Sequence, residues 1–456
     1  MVAREQQEPA RNGLRAKETS IMNRRQLLLG TTGFATGALA AACGTATGAP
    51  QTKTAGAVEL VHFNLTSPQS LPPFEQAIAA FEQRHPDVKI KLLHAPTPAA
   101  EKFRTLVAGG EIPDVSYVGV VELRELGPKG VFEPLNGYIA RDRLDLKQYR
   151  SASTNASLVD GKYYALPLGI NPNAMFVNVD LLKRAGVPLP PRNWSDKSWT
   201  WERFVDIAQR LTKDGGSPTT SQWGWLEWGD WGDQIALVAA GGQWFDSRVK
   251  ATKCVCDSPE GARGLQFVQD LIYRYRVHPT PPDKAAFGGV DKAFATGQVA
   301  FTNGDWKMAT TLVEPIRDFQ WAAAPYPIGP SGKPITTVKY NAAGMSAVTK
   351  HKDQAWKFQR WLTWDKEGVE LHTQGANMAA VKHVDPKTNY PLKDHLADAQ
   401  VVIDGTEVGH QLYDTVGVTA DMNRAKSAEM AKLYANQQSG RDTAAAIQRA
   451  INALFS

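Results

Sequence analysis

The sequence predicts an α/β fold divided between two domains. The chain has 456 residues, more than one hydrophobic core usually organises, so two domains are expected. Hydrophobic residues make up 43% of the chain and charged residues 21%, which is typical of a globular protein and excludes a disordered one. Short strand patterns alternate with helix patterns, and this alternation favours lobes built on largely parallel sheets.

Residues 1–43 have the features of an export signal. Arg24 and Arg25 precede a short apolar run, and small residues then lead to Cys43. A basic start, an apolar stretch and small residues before a cleavage site are the parts of a secretory signal, and the paired arginines resemble the twin-arginine type. Cys43 resembles a lipobox cysteine. We therefore expect an exported protein with a lipid anchor, in the periplasm or at the outer face of the cytoplasmic membrane.

The charge of the chain gives little sign of a polyanionic partner. The net charge is +5, but residues 1–42 hold six basic and three acidic side chains, which leaves about +2 on the rest. We expect no nucleic-acid partner and no cofactor. Residues 44–57 lack an apolar period and are expected to be a flexible tether. Met22 is an alternative start to Met1, since it lies directly before the signal.

Strands and helices alternate from residue 58 to residue 118. Val58–Phe63 and Asp114–Val118 each predict a strand, and residues 88–92, which alternate apolar and polar side chains, predict a half-buried strand. Between them, apolar residues recur at helical spacing after Pro72 and again before Gly109. This order predicts an α/β lobe.

A second lobe is expected to begin after residue 172. Asp160–Pro167 predicts a turn followed by a strand, and the apolar run Ala174–Val179 predicts the strand that crosses into the second lobe. Thr200 is a candidate N-cap for a helix whose apolar residues run to Leu211. Later helices are predicted at Pro259–Tyr275, Gln354–Trp364 and Asp442–Leu454.

Cys254 and Cys256 leave two alternatives open. Three cysteines in the whole chain argue against a disulfide framework. In a strand, residues two apart share a face at a separation near the upper limit for a bridge. The pair is therefore interpreted as two small apolar residues of a strand, with a local disulfide as the alternative.

Several short motifs follow one another in the order that a known family shows. Each motif is weak by itself, but together they are specific. The matching segments are Gly110–Val115 (G-x-x-P-D-V), Asp160–Pro167 (D-G-K-x-Y-x-L-P), Asn178–Val187 (N-x-D-L-x-x-x-A-G), Pro190–Trp194, Gly297–Trp306 (G-x-x-A then G-x-W) and Ala324–Pro330 (P-x-P-x-G-P). On these residues the chain resembles the extracellular solute-binding proteins, family 1, that bind sugars for ABC importers.

This resemblance implies a type II periplasmic-binding-protein fold with two lobes, hinge strands and a ligand cleft between them. It places lobe one at 58–172 plus 323–373, and lobe two at 173–322 plus 374–456. The chain departs from the family pattern by an insert at Asn193–Trp199 and by Gly375-Ala376-Asn377-Met378 where the family often has G-x-x-P. The identity of the ligand therefore stays open.

Aromatic and carboxylate side chains of the second lobe indicate a carbohydrate. Sugars have apolar C–H faces that aromatic rings cover and hydroxyls that planar polar groups bind. Eight of the 13 tryptophans fall between residues 194 and 244. Trp228, Asp230 and Trp231 lie in a Gly-rich turn after the strand that holds Trp223 and Trp225, so we take these three as ligand contacts. Trp306 belongs to the G-x-W motif, which by resemblance places it in the cleft; its alternative is a core anchor.

Polar residues near predicted strand ends and the hinge supply the other candidates. Open α/β sheets bind ligands at the carboxyl ends of their strands. Asn64 follows the first strand and Tyr117 lies in the third, although Asn64 could be a turn former and Tyr117 a core residue. Asp114 is interpreted as a structural cap. The remaining candidates lie near the hinge connection and in the crossover: Tyr340, Asn341 and Asn377.

Other functional classes remain as alternatives. A glycoside hydrolase needs a placed pair of carboxylates, and no nucleophile elbow, zinc-protease, Walker or dinucleotide motif occurs, so we predict no catalysis. A surface adhesin would need no cleft. A binder of a glycerol phosphodiester, a polyol or a peptide is the closer alternative, although no Arg/Lys cluster favours phosphate. The partners implied by the resemblance are the permease subunits of an ABC transporter, and the chain is expected to be a monomer.

Overall fold

The computed structural model describes residues 56–95, 99–150, 153, 157–227, 229, 234–247, 250–309, 316–374, 377–388, 393–410 and 417–455. The predicted signal and tether, with Cys43, lie outside these residues apart from Gly56 and Ala57. Within them, no helix is both long and apolar enough to span a bilayer.

The first part of the chain alternates strands and helices as the sequence predicts. Its elements are β1 (Val58–Asn64), α1 (Leu71–Arg84), β2 (Val88–His94), α2 (Ala99–Ala108), β3 (Val115–Gly119), α3 (Val120–Leu126), α4 (Asn136–Arg141), β4 (Leu158–Val159), β5 (Lys162–Tyr163) and β6 (Leu166–Asn178). Helix α1 begins at a proline-rich first turn and buries Phe74, Ile78 and Phe81 on one face.

The next part holds most of the aromatic core. Its elements are α5 (Val179–Arg184), α6 (Trp201–Leu211), β7 (Trp223–Leu226), α7 (Ala236–Ala239), α8 (Pro259–Tyr273), α9 (Pro281–Ala285), α10 (Val290–Ala295), β8 (Val299–Asp305) and β9 (Trp321–Ala324). Thr200 caps α6 as predicted, because its side chain accepts a hydrogen bond from the backbone N–H of Arg203.

The last part returns to the first sheet and then ends in helices. Its elements are β10 (Thr336–Met345), α11 (Lys352–Thr363), α12 (Lys366–His372), β11 (Met378–Ala379), α13 (Leu396–Val408), β12 (Gly409–His410), α14 (Ala420–Tyr434) and α15 (Gly440–Asn452). Helix α15 begins two residues before the predicted Asp442, because Ser439 supplies the N-cap.

The described strands form one ten-stranded sheet and one hairpin. The order along the sheet is β2-β1-β3-β10-β6-β8-β7, with β9 and β11 also paired to β6 and β12 to β10; β4 and β5 make the hairpin. Strands β1, β2 and β3 are parallel, whereas β10 runs antiparallel to β3 and to β6. The fold is the two-lobed α/β arrangement with hinge strands that the sequence predicts.

Strand β6 links the two parts of this sheet. Residues 166–172 pair with β10, whereas residues 173–178 pair with β8 and β9. All 13 residues of β6 are buried. The predicted crossing strand Ala174–Val179 is therefore only the second part of a longer strand. The strand ends at Asn178, one residue before the predicted end. The Asn178 side chain accepts a hydrogen bond from the N–H of Leu181 and so caps the start of α5.

Many tryptophans serve the core. The indole N–H of Trp194 donates to the Val401 carbonyl at 2.9 Å, and that of Trp199 donates to the Pro325 carbonyl at 3.0 Å. Trp225 is 1% exposed and packs edge-on against Phe204 at 5.5 Å. Much of the tryptophan clustering thus reflects a large aromatic core in the second part of the chain.

Cys254 and Cys256 are free buried thiols in this structure. Their sulfur atoms lie 3.4 Å apart, and the Cys256 sulfur also contacts the Ala444 carbonyl of α15. Cys254 forms an isolated bridge with Phe245 and Cys256 lies outside any strand, so the pair packs against the C-terminal helix from an irregular segment and not from the strand that the sequence predicts.

Candidate functional site

Asn64 ends β1 at the carboxyl edge of the parallel strands. Its side chain is fully buried, and its Oδ1 accepts a hydrogen bond from the N–H of Thr66 at 2.8 Å. Its Nδ2 lies 3.4 Å from Nε2 of His62. The predicted candidate therefore shapes the turn after β1, which was the alternative role left open by the sequence. Asp114 is also structural, since its carboxylate accepts from the N–H of Val61 at 2.8 Å and from the hydroxyl of Thr349.

Tyr117, Asn171 and Asn377 form a buried polar cluster where β3, β6 and the entry to β11 meet. The Asn171 amide donates to Oδ1 of Asn377 at 2.7 Å. Burial raises the pKa of the Tyr117 phenol, and a hydrogen bond from the Asn377 side chain partly offsets that rise. The three side chains are 2%, 7% and 5% exposed, respectively. The structure thus brings together Tyr117 and Asn377, two residues 260 positions apart in the numbering of the chain.

Asn171 is the member of this cluster that the sequence did not single out. Its Oδ1 is buried and accepts no hydrogen bond from any residue that the structure describes. The signal was present, because Asn171 and Asn173 are polar residues in the middle of a largely apolar strand that is wholly buried. Buried amide oxygens are normally paired, so an unpaired one at a hinge indicates a position that a donor can fill.

Gly169 allows the cluster to pack. A Cβ atom at this position would lie 2.7 Å from the Cβ of Asn377, closer than side chains approach one another. The bare backbone of Gly169 pairs with Ala379 in β11 and leaves room for Asn377 beside it.

Tyr340 and Asn341 lie in the middle of β10, beside this cluster in the sheet. Asn341 is paired with Gly119 of β3 on one side and with Gly169 of β6 on the other. Tyr340 is 5% exposed, and its hydroxyl accepts from Nη2 of Arg124 at 3.2 Å. Both residues therefore belong to β10, which lies between β3 and residues 166–172 of β6.

Trp306 directly follows β8 and is 2% exposed. The residue before it, Asp305, accepts hydrogen bonds from the N–H groups of Lys307 and Met308. The residue after it, Lys307, donates a hydrogen bond from its ammonium to the hydroxyl of Ser67 at 3.2 Å. Ser67 follows β1, so this bond connects the ends of two strands in different parts of the sheet. The sequence did not predict it.

The aromatic turn begins at Glu227, directly after β7. Glu227 is 3% exposed, and its N–H donates to Nε2 of His278 at 3.1 Å, while Nδ1 of His278 donates to the Pro279 carbonyl at 2.6 Å. Burial lowers the pKa of His278 to about 3, helped by the positive charge of Lys284. The predicted contacts Trp228, Asp230 and Trp231 lie outside the described residues.

Two cavities accompany the second part of the chain. One of about 290 Å³ is lined by Glu227, Gly229 and residues of α8, α9 and α14. A wider groove of about 500 Å³ lies between α6 and α8 and includes Trp201, Phe267 and Tyr275. The groove contains none of the predicted site residues. The smaller cavity adjoins the carboxyl end of β7, where α/β sheets bind ligands.

Metal chemistry has no evident place among the described residues, where no three His, Cys, Asp or Glu side chains converge. The described candidates are hydroxyls, amides and aromatic rings. Such groups bind a polar ligand by hydrogen bonds and ring contacts.

Comparison with known proteins identifies the family to which this chain belongs. A family described as "Bacterial extracellular solute-binding protein" matches residues 66–368. A putative binding protein of Brucella abortus is 24% identical over 70% of this chain and 75% of its own length. The maltotriose-binding protein of Pyrococcus abyssi is 25% identical over 69% of this chain and 64% of its own length.

A solved structure shows the same fold. An ABC substrate-binding protein of Listeria monocytogenes, in complex with cycloalternan, superposes with a TM-score of 0.75. The superposition covers 88% of this chain and 99% of the other, at 19% sequence identity.

Proposed function

Because the chain belongs to the bacterial extracellular solute-binding proteins, we propose that it captures a carbohydrate and delivers it to an ABC importer. The family is exported or periplasmic. The named relative binds maltotriose, and the superposed structure holds a cyclic oligosaccharide, so an oligosaccharide is the ligand class we favour. The receptor binds and releases its ligand without chemical change.

The buried cluster of Tyr117, Asn171 and Asn377 is the observation that carries this proposal. A neutral sugar offers hydroxyl donors, and the Oδ1 of Asn171 is an acceptor to which the described part of the chain supplies no donor. A buried acceptor left unmet costs about 1–3 kcal/mol, so filling it with a hydroxyl favours the bound state. Selectivity follows, because a ligand without a donor at this point leaves the cost in place.

We propose that the two parts of the sheet are the lobes that close on the ligand, with β6 and β10 as hinge strands. The predicted boundaries are 58–172 plus 323–373 and 173–322 plus 374–456. Residue 323 falls inside β9, which pairs with the second part of β6. We therefore move that boundary beyond Ala324, so that β9 stays in lobe two. Strand β11 pairs with Gly169 and Ile170 in the first part of β6, so we also move the boundary at 373 beyond Ala379, which places Asn377 in lobe one. The bond from Lys307 to Ser67 joins the two lobes across the cleft in this assignment.

The remaining parts of the proposal concern anchoring and partners. Cys43 carries the lipid, the permease subunits of an ABC transporter receive the ligand, and the receptor acts as a monomer. Trp228, Asp230, Trp231 and Trp306 are proposed to add aromatic and carboxylate contacts to the ligand.

A thermal-shift screen of the exported protein against a sugar library tests the proposal. A ligand that binds the native state alone raises its stability by RT ln(1+[L]/Kd), which is about 2.7 kcal/mol at 100 times Kd. We expect at least one oligosaccharide to raise the melting temperature and to be recovered intact. An unchanged melting temperature across the library would favour an adhesin. A response confined to glycerol phosphodiesters or peptides would change the ligand class, and steady release of shorter sugars would indicate a hydrolase.

A further inference from the structure

The cavity of about 290 Å³ has a composition suited to one sugar ring. Its walls come from the end of β7 (Glu227, Gly229), from the residues that follow α8 (His278, Pro279), and from α9 and α14 (Lys284, Tyr434). Ligand pockets for drug-sized molecules are about 300–1,000 Å³. This cavity therefore fits one monosaccharide ring and not a whole oligosaccharide.

The apolar part of the wall matches the C–H face of a pyranose. Pro279, Pro281 and Ile272 supply aliphatic surface, and His278 supplies an aromatic ring. Both nitrogens of His278 are already engaged, Nδ1 with the Pro279 carbonyl and Nε2 with the Glu227 N–H. The ring therefore offers its carbon surface to the cavity and not a hydrogen-bonding group.

The charged groups of the wall are one carboxylate and one ammonium. Glu227 accepts hydrogen bonds and Lys284 donates them, so the pair has no net charge. Lys284 is half-buried, and its ammonium forms no ion pair or hydrogen bond with the described part of the chain. A neutral ring with several hydroxyls accepts from the Lys284 ammonium without placing a charge in the cavity. An anion would be repelled by the Glu227 carboxylate, and a cation would be repelled by the Lys284 ammonium.

We propose that this cavity is the subsite for one terminal sugar ring of the oligosaccharide, and that it sets the chain length the receptor prefers. The inference rests on the proposed function. Its location supports it, because Glu227 and Gly229 belong to the segment that leaves the carboxyl end of β7 and carries the predicted contacts Trp228, Asp230 and Trp231.

The mouth of the cavity allows a test with a matched control. Ala431 lines the cavity and is exposed on α14, so Ala431→Trp fills the opening without disturbing the core. Lys432→Trp places the same side chain one residue further, at an exposed position that does not line the cavity. It loses only the surface pair with Glu429, and exposed ion pairs contribute little to stability.

A second variant tests the chemistry of the wall. Lys284→Met keeps most of the aliphatic stem and removes the ammonium. Equal melting temperatures of Ala431→Trp and Lys432→Trp would show that the new side chain does not disturb α14. If the two temperatures differ, Lys284→Met still tests the subsite.

Calorimetric titration with maltose to maltopentaose, and with a second ladder of cello-oligosaccharides, measures the dependence of Kd on chain length. For wild type we expect affinity to rise with each added unit and then level off. In Ala431→Trp the affinity should level off at a chain one sugar unit shorter. In Lys284→Met the last sugar unit should increase the affinity about tenfold less than it does in wild type. Lys432→Trp should follow wild type.

Two failures can be told apart. If wild type binds an oligosaccharide and both cavity variants keep its length profile, the subsite assignment is wrong and the receptor function stands. If wild type binds no sugar of either ladder or of the wider library, the proposed function fails, and the subsite with it.

Discussion

The amide of Asn171 donates to Oδ1 of Asn377 at 2.7 Å, joining the middle of β6 to the residue before β11. The bond holds two side chains in a buried place where Tyr117 also reaches Asn377. Because β6 runs through both parts of the sheet, a ligand that contacts Asn171 contacts the strand that we propose as a hinge.

Asn171→Ala should weaken carbohydrate binding by about 10- to 100-fold, since it removes an acceptor for the ligand and the donor to Asn377. Calorimetric titration gives the change in Kd. Asn193→Ala, at an exposed turn, is the control and should bind as wild type does. The double variant Asn171→Ala/Asn377→Ala should lose less binding free energy than the two single variants lose together, because the two side chains are in contact. Equal affinity of Asn171→Ala and wild type would remove the cluster from the site.

Gly169→Ala should lower the free energy of unfolding by about 1–3 kcal/mol, because the new Cβ would overlap the Cβ of Asn377. Binding should weaken as well, since Asn377 must move. Urea denaturation and titration measure the two effects. Gly137→Ala is the matched control, with open space around its Cβ in α4. A Gly169→Ala protein as stable as wild type would contradict the packing described here.

Lys307→Met should speed ligand release by about three- to tenfold and leave the melting temperature nearly unchanged. The reason is that the Lys307 ammonium donates to the Ser67 hydroxyl between the ends of β8 and β1, so its loss favours the open arrangement. Stopped-flow fluorescence measures the release rate. Lys333→Met, in an exposed turn, controls for the loss of one positive charge. An unchanged release rate would mean that this bond does not hold the lobes together.

Acid should destabilise the protein through its buried histidines. Burial lowers the pKa of His62 and of His372 to about 4, and that of His278 to about 3, from an ordinary value of 6.5. The unfolded chain takes up protons below pH 6.5 and the native protein does so only near pH 3–4. Stability is therefore full above pH 6.5 and falls as the pH drops from 6.5 towards 4, by about 1.4 kcal/mol for each histidine at pH 5.5.

Urea denaturation between pH 7.5 and pH 5 measures this slope. His278→Gln should flatten it by removing one of the three groups. A free energy of unfolding that stays constant over this range would show that the three rings are not held neutral by burial.

The sequence by itself determined the local elements and the class of fold. Apolar spacing located α1, α6, α8 and α11 to within a few residues, because one face of each helix must be buried and the period of 3.6 records that face. The polar residue Thr200 marked the start of α6 for a similarly local reason. The order of short motifs identified the family, and the two-lobed fold followed.

Only the tertiary structure decided which side chains meet. Asn171 and Asn377 are 206 residues apart and Ser67 and Lys307 are 240 apart, and no local pattern records such pairs. Residue type alone does not distinguish a core tryptophan from one that binds a ligand. The structure shows that Trp194, Trp199 and Trp225 are buried in the core. An amide in an apolar strand is a visible signal, but whether its partner is protein or ligand depends on long-range contacts that form when the sheet assembles.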